Sequence, residues 1–209
     1  MNANPIRVML VEDDEDWIAA MTDFLNREPD MSVVGSAASG PEALRTAESL
    51  VFDVALLDIH LGDGSLDGIN AAIELQELRP DAKLIMLSSV GESEVMTRAF
   101  TAGAVNYIEK TDFRELPHAI RHAVLHPKAM DALLKEFGRL KREEQLKELT
   151  VAEREVYDLL EEGMTGSQIE KKLFKAESTL KNQVNRMLKK LGVRSSKEAV
   201  RKVKRKGLL

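Results

Sequence analysis

The first 126 residues alternate between short apolar runs and longer segments in which apolar residues recur at helical spacing. The apolar runs lie at residues 6–11, 31–34, 54–58, 83–87 and 105–109. A run that is apolar throughout is typical of a strand buried on both faces of a parallel sheet, and a period of 3.6 residues predicts a helix. The later helices of this part are predicted at about residues 69–78, 92–101 and 113–125. The alternation therefore predicts an α/β domain with a doubly wound, five-stranded parallel sheet.

Polar side chains stand where four of these strands end. Glu12 and Asp13 follow the first strand, Asp58 ends the third, Ser88 follows the fourth and Lys110 follows the fifth. Ligands of open parallel sheets bind just beyond the carboxyl ends of the strands. We therefore expect these side chains to meet at one edge of the sheet.

This set of groups is suited to phosphoryl transfer. Three carboxylates, from Glu12, Asp13 and Asp58, bind a hard divalent cation, with Mg²⁺ preferred. Lys110 can neutralise charge on a phosphoryl group, and Ser88 can hydrogen-bond to its oxygens. Asp58 ends a mid-sheet strand and is the best-placed nucleophile. Taken singly, each group has an ordinary alternative, such as a surface charge for Lys110 or a helix cap for Ser88.

Charge is distributed unevenly along the chain, whose formal net charge is −5. Residues 1–128 contain 10 Lys/Arg against 22 Asp/Glu, whereas residues 129–209 contain 20 against 13. Within residues 171–209 the count is 14 against 2. An acidic first half and a basic tail predict two domains with different partners, and favour nucleic acid as the partner of the second.

The composition excludes several classes of protein. The chain contains no cysteine, so disulfides and thiolate metal sites are excluded. The N-terminus lacks the apolar core of a signal peptide, and no run approaches the ~20 apolar residues of a membrane span. We expect a cytoplasmic protein with no membrane partner.

Residues 127–148 join the two parts and predict an amphipathic helix among alternating charges. Its apolar positions are Met130, Leu133, Leu134, Phe137, Leu140 and Leu146. Two interpretations stay open, in which this stripe packs on its own chain or pairs with a second copy. We favour self-association slightly, because three turns of apolar stripe are difficult to cover with a small neighbour.

The remaining residues, 149–209, predict four short helices. Capping boxes at residues 150–153 and 165–168 begin the first two. The third helix spans residues 177–191, and a densely basic last helix spans about 196–206. Two short helices with a tight turn and a basic second member indicate a helix-turn-helix, whose second helix enters the major groove of DNA. A small helical bundle with basic, solubilising faces is the alternative.

Helix 177–191 combines an apolar face with polar residues that suit DNA. The candidate DNA contacts are Lys181, Asn182, Asn185, Arg186, Lys189, Lys190 and, beyond the helix, Arg194. The N-terminal half of a recognition helix meets base edges, so Lys181 is predicted to contact guanine, and Asn182 or Asn185 adenine. Lys189, Lys190 and Arg194 lie further along and are predicted to contact phosphates.

Residues 5–126 resemble a bacterial response-regulator receiver domain, which has a flavodoxin-like fold. The motifs are Leu10-Val11-Glu12-Asp13-Asp14, Leu56-Leu57-Asp58-Ile59, Leu87-Ser88-Ser89 and residues 103–110. The resemblance implies that Asp58 is phosphorylated and that the backbone carbonyl of His60 joins the carboxylates at Mg²⁺. It also implies a switch in which Tyr107 swings inward as Ser88 turns to the phosphoryl group.

Three positions depart from the receiver pattern. Gly62 and Thr111 stand where the family usually has proline, and Gly68 lies two residues later than the family spacing. We expect these departures to alter loop shape more than chemistry.

Residues 149–200 resemble the output domain of the LuxR class, as found in regulators of the NarL type. The matching positions are Leu149-Thr150, Glu153-Arg154-Glu155-Val156, Gly163, Thr179-Leu180-Lys181 and Lys190-Leu191-Gly192-Val193. The departing positions are Glu170, Lys175, Ala176, Gln183 and Ser195-Ser196. We expect these departures to bear on the recognised sequence and the strength of binding.

These observations predict a two-component response regulator of the NarL/FixJ family. Residues 1–126 would form the receiver, 127–148 a helical linker and 149–209 the DNA-binding domain. A sensor histidine kinase would phosphorylate Asp58, and a homodimer would bind promoter DNA. The chain would not be an enzyme beyond Mg²⁺-dependent self-phosphorylation and dephosphorylation.

Two rival functions remain at this stage. In one, the receiver acts through protein contacts and its output domain is degenerate, which the departures above favour. In the other, the same pocket belongs to a phosphatase-like hydrolase. That enzyme would need a general acid near Asp58 and a substrate cleft, and neither is apparent in the sequence.

Overall fold

The computed structural model describes residues 4–62, 67–89 and 93–205 of the chain. It divides into two compact units, Met1–Lys135 and Glu136–Leu209. The first combines a sheet with helices, and the second is helical in the part that the structure describes.

A five-stranded parallel sheet forms the centre of the first unit. Its strands are β1 (Ile6–Val11), β2 (Met31–Ala37), β3 (Val54–Asp58), β4 (Lys83–Ser88) and β5 (Asn106–Glu109). They lie in the order β2-β1-β3-β4-β5, and each neighbouring pair is parallel. All residues of β3 are buried, as expected of a central strand with helices over both faces. The predicted doubly wound fold is therefore confirmed.

The helices of the first unit bury their apolar stripes against this sheet. They are α1 (Glu15–Asn26), α2 (Gly40–Ser49), α3 (Asp67–Leu78), α4 (Ser93–Ala102) and α5 (Leu116–Leu125). Met21 and Leu25 of α1 share one core cluster with Leu116 and Ile120 of α5 and with residues of β1, β3 and β4. This packing holds the strands in register, so their carboxyl ends meet at one edge.

Two element boundaries predicted from the sequence were wrong. Strand β2 continues to Ala37 instead of ending at residue 34, because a register shift lets pairing resume at Met9 and Gly35. The segment Lys110–Glu115 is a 3₁₀ helix, whereas a single α-helix was predicted from about residue 113. Asp112 has φ −99° and ψ 23°, and a new helix begins with Pro117 in its first turn, where proline is tolerated.

Other boundaries fall near or outside the described ranges. Helix α3 begins at Asp67, two residues before the predicted start. Residues 63–66, the predicted helix start at Glu92 and the predicted helix end at Lys206 lie outside the residues that the structure describes.

Helix α6 (Pro127–Leu146) confirms the helix predicted between the two parts of the chain. In the first unit, Met130 and Leu134 pack against the core cluster. Leu133 and Leu140 remain more than half exposed. The first turns of the stripe are thus covered by their own chain. None of the helices in the described ranges has the length and hydropathy that a bilayer-spanning helix requires.

The second unit is built from four further helices, α7 (Val151–Glu161), α8 (Gly166–Leu173), α9 (Glu177–Leu191) and α10 (Ser196–Lys204). The capping box that begins α7 is formed by Thr150 and Glu153. Tyr157 and Met187 are fully buried in one core cluster, and Ile169 and Leu180 lie in a second. Gly192 ends α9 in a left-handed conformation with φ 64°.

Candidate functional site

The carboxylates predicted to meet at the sheet edge do so. Parallel pairing of β1 with β3 carries Glu12 and Asp58 to the same edge, and Asp13 follows directly. Carboxylate oxygens of Glu12, Asp13 and Asp58 all lie within 4.8 Å of one another. Glu12 and Asp58 are buried and Asp13 is exposed. The cluster is therefore open to solvent on one side.

Lys110 lies among these carboxylates. Its Nζ is 2.6 Å from Oε2 of Glu12 and 3.0 Å from Oδ2 of Asp58. The same Nζ stands 5.2 Å from the ring centre of Trp17, close enough for a cation–π interaction. The aromatic ring and two carboxylates thus fix the ammonium group at the end of β5.

The pKa values of this cluster are perturbed by burial and by charge. Burial raises the pKa of the Glu12 carboxyl, and the negative charge of Asp58 acts in the same direction, against the hydrogen bond from Lys110. Burial lowers the pKa of Lys110, but its hydrogen bonds to Glu12 and Asp58 outweigh this effect and raise the pKa overall. Three carboxylates against one ammonium group leave an excess of negative charge, which a cation would relieve.

The backbone after β3 folds tightly onto Asp58. Gly68 donates its N–H to the carbonyl of Ile59 at 3.1 Å. A Cβ atom at Gly68 would lie 1.8 Å from the carbonyl oxygen of Asp58 and 2.8 Å from its carbonyl carbon. Only glycine permits this approach, although Gly68 stands two residues away from the family spacing.

Gly62 supports the exposed carboxylate. Its φ is 78°, in the left-handed region that favours glycine, and its N–H donates to Oδ2 of Asp13 at 3.1 Å. His60, whose backbone carbonyl was predicted to bind metal, donates its own N–H to Oδ1 of Asp58 over a long 3.4 Å. The loop thus brings main-chain groups to both aspartates.

The two predicted switch residues lie on neighbouring strands. Ser88 is the last residue of β4 and is fully buried, and β3–β4 pairing places Asp58 opposite Leu87, one residue before it. Tyr107 is half-buried in β5, opposite Met86. Ser88 therefore stands at the strand end beside the cluster, and Tyr107 lies two residues before the end of the neighbouring strand.

Two features of this site were missed by sequence reasoning. The contact between the Trp17 ring and the Lys110 ammonium group was not predicted. The close approach of Gly68 to Asp58 was likewise missed. The signal in the sequence was a glycine at the start of a predicted helix. Glycine lowers helix stability, so its presence there indicates that the backbone passes close to another group.

In the second unit, α9 exposes the polar face that the sequence predicted. Leu180, Met187 and Leu191 are buried. The predicted DNA contacts Lys181, Asn182, Asn185, Arg186, Lys189, Lys190 and Arg194 are exposed. Ala176, which stands before α9, provides no side-chain cap, so the first N–H groups of the helix lack a capping oxygen from that residue.

Lys190 differs from the other basic residues of α9. Its Nζ lies 2.6 Å from Oε2 of Glu153, a buried carboxylate on α7. The other role of Glu153 is to accept the Thr150 N–H in the capping box. Lys190 therefore joins α9 to α7, and its charge is not simply presented to solvent.

Family comparisons match both units. Residues 8–121 match the family described as Response regulator receiver domain. Residues 147–203 match the family described as Bacterial regulatory proteins, luxR family.

Two relatives match over nearly the whole length of the chain. The chain is 36% identical over 202 residues to the DNA-binding transcriptional activator DevR/DosR of Mycobacterium tuberculosis, with 93% of this chain and 92% of that protein covered. It is 32% identical over 202 residues to the response regulator protein VraR of Staphylococcus aureus, with 93% and 94% covered.

Solved structures agree with this assignment. The response regulator domain of Thermotoga maritima CheB matches with a TM-score of 0.54 and 32% identity, covering 58% of this chain and 97% of that one. The RcsB response regulator of Salmonella typhimurium matches 95% of this chain and 98% of its own, with a TM-score of 0.53. Its 21% identity makes this second likeness one of fold alone. The resemblance drawn from the sequence motifs is confirmed, and the chain belongs to the response regulators that combine a receiver domain with a LuxR-family DNA-binding domain.

Proposed function

We propose that a sensor histidine kinase phosphorylates Asp58 and that this phosphorylation controls DNA binding by the C-terminal domain. The observation that supports the proposal most strongly is the meeting of three carboxylates within 4.8 Å at the ends of parallel strands, with Lys110 among them. We assign residues 1–126 to the receiver, 127–148 to a linker and 149–209 to the DNA-binding domain.

The donor set of the pocket fits Mg²⁺. Carboxylate oxygens are hard ligands, and Glu12, Asp13 and Asp58 carry more negative charge than Lys110 neutralises. We assign Mg²⁺ to these three side chains together with the backbone carbonyl of His60. When bound, the ion supplies positive charge for the oxygens of a transferring phosphoryl group.

The proposed reaction is an in-line displacement at phosphorus. An oxygen of the Asp58 carboxylate attacks the phosphorus of a phosphohistidine, the phosphorus–nitrogen bond breaks, and the imidazole leaves with the bonding electrons. An acyl phosphate forms on Asp58. Lys110, 3.0 Å from Asp58 beforehand, then holds a phosphoryl oxygen. Attack of water on the same phosphorus breaks its bond to the Asp58 oxygen, releases inorganic phosphate and restores the carboxylate. Self-phosphorylation from small donors and dephosphorylation are thus the reactions we assign to the chain itself.

Ser88 and Tyr107 are the residues that we assign to the switch. Ser88, at the end of β4, would turn its hydroxyl to the phosphoryl group, and Tyr107 in the neighbouring strand would swing inward. A rearrangement of these two side chains can change the surface around β5 without altering the sheet.

DNA recognition is assigned to the exposed face of α9. Lys181, Asn182 and Asn185 lie in its N-terminal half, where a recognition helix meets base edges. Arg186, Lys189 and Arg194 are assigned to phosphates. Lys190 is also assigned to a DNA phosphate, and its ion pair with Glu153 gives it a structural role as well.

Dimerisation on activation is the remaining part of the proposal. Two linked DNA-binding domains bind a paired site with far higher apparent affinity than one domain does. A dimer that forms on phosphorylation would therefore bind such a site more tightly than the monomer. Light scattering before and after treatment with acetyl phosphate tests this point, and an unchanged monomer with and without DNA would contradict it.

The phosphorylation site is tested by labelling with acetyl phosphate in Mg²⁺ and measuring the intact mass. The wild type should gain one phosphoryl group, and Asp58→Asn should gain none. Asp53→Asn is a matched control, because Asp53 precedes the same strand at its opposite end and pairs with Arg7. Normal labelling of the Asp58→Asn protein would overturn the assignment.

A further inference from the structure

Three of the four histidines of the protein lie in one motif, His118-x₃-His122-x₃-His126. Residues four apart on a helix lie on the same face. Two histidines at this spacing on a helix are a known arrangement for holding Zn²⁺. Neither the phosphorylation chemistry nor the DNA-binding helix uses these residues, so the motif calls for a separate explanation.

The structure distinguishes two pairs within the motif. All three histidines are exposed on or at the end of α5. The ring centres of His118 and His122 are 6.4 Å apart, and those of His122 and His126 are 5.7 Å apart. Two Zn–N bonds of about 2.1 Å at a tetrahedral angle place the ring centres about 5 Å apart. The second pair therefore needs less movement to share an ion.

A cavity also singles out the second pair. His122 and His126 line a cavity of about 30 Å³ together with Asn106 and Asp131, and His118 does not. This space is sufficient for one water molecule or ion. Asp131, on α6, also lines the cavity, and its Oδ1 accepts a hydrogen bond from Lys83 at 2.8 Å. His122, His126 and Asp131 thus border one small space. Among the described residues, the side chains that already bring three ligand atoms within 4.8 Å are those of Glu12, Asp13 and Asp58, so Asp131 would have to turn toward the two imidazoles to share an ion with them.

The end of α5 holds this pair in place. His126 follows the last residue of the helix, and its N–H donates to the carbonyl of His122 at 3.0 Å. The backbone between the two imidazoles is thereby closed by a hydrogen bond, which reduces the conformational freedom that metal binding would otherwise have to remove.

We propose that His122 and His126 chelate one divalent transition-metal ion of the Zn²⁺ class, with Asp131 and water completing its shell. Imidazole ligands suit Zn²⁺, Cu²⁺ and Ni²⁺, whereas Mg²⁺ prefers oxygen. The ion connects α5 to the first turns of α6, so it stabilises this part of the receiver. The site is separate from the carboxylates of Glu12, Asp13 and Asp58.

Calorimetric titration of Zn²⁺ into the full-length protein, with Mg²⁺ in excess throughout, tests the proposal. The wild type should bind one Zn²⁺ per chain. Even outer-shell substitutions cost about ten- to a hundredfold in metal affinity, so His122→Gln and His126→Gln should each weaken binding by at least about tenfold. Asp131→Asn should weaken it less. His118→Gln is the matched control, because it removes an equally exposed histidine from the same helix, and it should leave the affinity unchanged.

Thermal unfolding provides the second measurement. Zn²⁺ should raise the melting temperature of the wild type and of His118→Gln, but not that of His122→Gln. All three histidines are exposed, so the variants should fold, and far-UV circular dichroism checks this. The proposal is overturned if the wild type does not bind Zn²⁺, if His126→Gln keeps full affinity, or if His118→Gln loses as much affinity as His126→Gln.

Discussion

At the scale of single residues, Gly68 sets the position of the Asp58 peptide. A methyl group at this position would stand 1.8 Å from the Asp58 carbonyl oxygen, so the backbone of β3 or α3 must shift in a Gly68→Ala protein. We expect Gly68→Ala to reduce the rate of labelling by acetyl phosphate strongly, and to lower the free energy of unfolding by about 1–3 kcal/mol, as overpacking does. Intact-mass kinetics and denaturant unfolding measure the two effects.

Gly163→Ala is the control for this prediction. A Cβ atom at Gly163 meets nothing within 4 Å, but its φ of 85° strains any other residue, and Gly163 lies outside the receiver. The substitution should lower stability by about 1–2 kcal/mol and leave labelling close to that of the wild type. Equal labelling rates in the two variants would show that the approach of Gly68 does not position Asp58.

Trp17 should report cation binding directly. Its ring contacts the Lys110 ammonium group, which is also paired with two carboxylates of the cluster. A divalent cation at these carboxylates changes the charges around Lys110, so Mg²⁺ should change the fluorescence of this single tryptophan. Asp13→Ala should abolish the change. Asp16→Asn, an exposed aspartate outside the cluster, should preserve it. An undiminished response in Asp13→Ala would place the cation elsewhere.

Sequence reasoning located most cluster residues because their positions follow from strand ends. Glu12, Asp58 and Lys110 each terminate an apolar run, and parallel pairing brings such ends together. The Lys190–Glu153 pair could not be found in this way, since its partners are 37 residues apart on different helices. Only the packing of α9 against α7 creates that contact, and no local spacing predicts it.

At the scale of elements, the boundaries of a fully buried strand could be predicted from the sequence, whereas those of an edge strand could not. Strand β3 is buried throughout, so its apolar run marks its ends. Strand β2 lies at the edge of the sheet, and Gly35 and Ser36, near its end, are residue types common in turns although they pair with β1. The 3₁₀ segment after β5 was missed because its residues suit an α-helix by composition. Its form is set by the backbone angles of Asp112 and by Pro117 in the next helix.

The ion pair between α7 and α9 should contribute measurably to the stability of the helical unit. Burial raises the pKa of Glu153, but the hydrogen bonds from Lys190 and Thr150 outweigh it, so the pKa lies below its ordinary value of 4.5. The folded state then binds fewer protons than the unfolded state. The stabilisation is therefore complete above the ordinary pKa and is lost as pH falls through the lower, folded value.

Glu153→Gln isolates this charge, because glutamine preserves the capping box. Lys190 is one-third exposed, so the expected loss at neutral pH is about 1–2 kcal/mol, less than for a fully buried pair. Denaturant unfolding followed by circular dichroism should show the difference from wild type shrinking as pH falls below 4.5. Glu155→Gln removes a half-exposed partner of Lys175 and should cost little. A difference between wild type and Glu153→Gln that does not change with pH would argue against the charge effect.

Two substitutions in α9 should distinguish sequence-specific contacts from general electrostatic attraction to DNA. Asn182→Ala should relax sequence preference, at about 1–3 kcal/mol if the contact is bidentate. Lys189→Ala should weaken binding to all DNA alike and lower the salt slope by about one. Fluorescence anisotropy with a selected and a random duplex, at several salt concentrations, measures both. Equal losses on both duplexes for both variants would make α9 an electrostatic surface only.

At the scale of the whole molecule, the acidic residues of the pocket and the basic residues of the C-terminal part lie in different regions of the chain. The three carboxylates of the pocket lie in the first unit, whereas residues 171–209 carry 14 Lys/Arg against 2 Asp/Glu. The first arrangement suits a cation and a phosphoryl group, and the second suits the DNA backbone. Regulation requires that the change of charge at Asp58 alter the DNA affinity of the second domain, although the residues of that domain are not modified. Such an effect of one site on another is measured as a coupling free energy.

The central claim is tested most directly by measuring DNA affinity before and after phosphorylation in the same titration. A duplex selected from a random pool by the acetyl-phosphate-treated protein is the probe, and fluorescence anisotropy in Mg²⁺ at fixed salt is the readout. The wild type should bind at least about fivefold more tightly after treatment, as expected for a typical coupling energy. Asp58→Asn should bind with the same affinity with and without acetyl phosphate. An equal gain in affinity for Asp58→Asn, or no gain for a wild type shown by mass to be phosphorylated, would contradict the account.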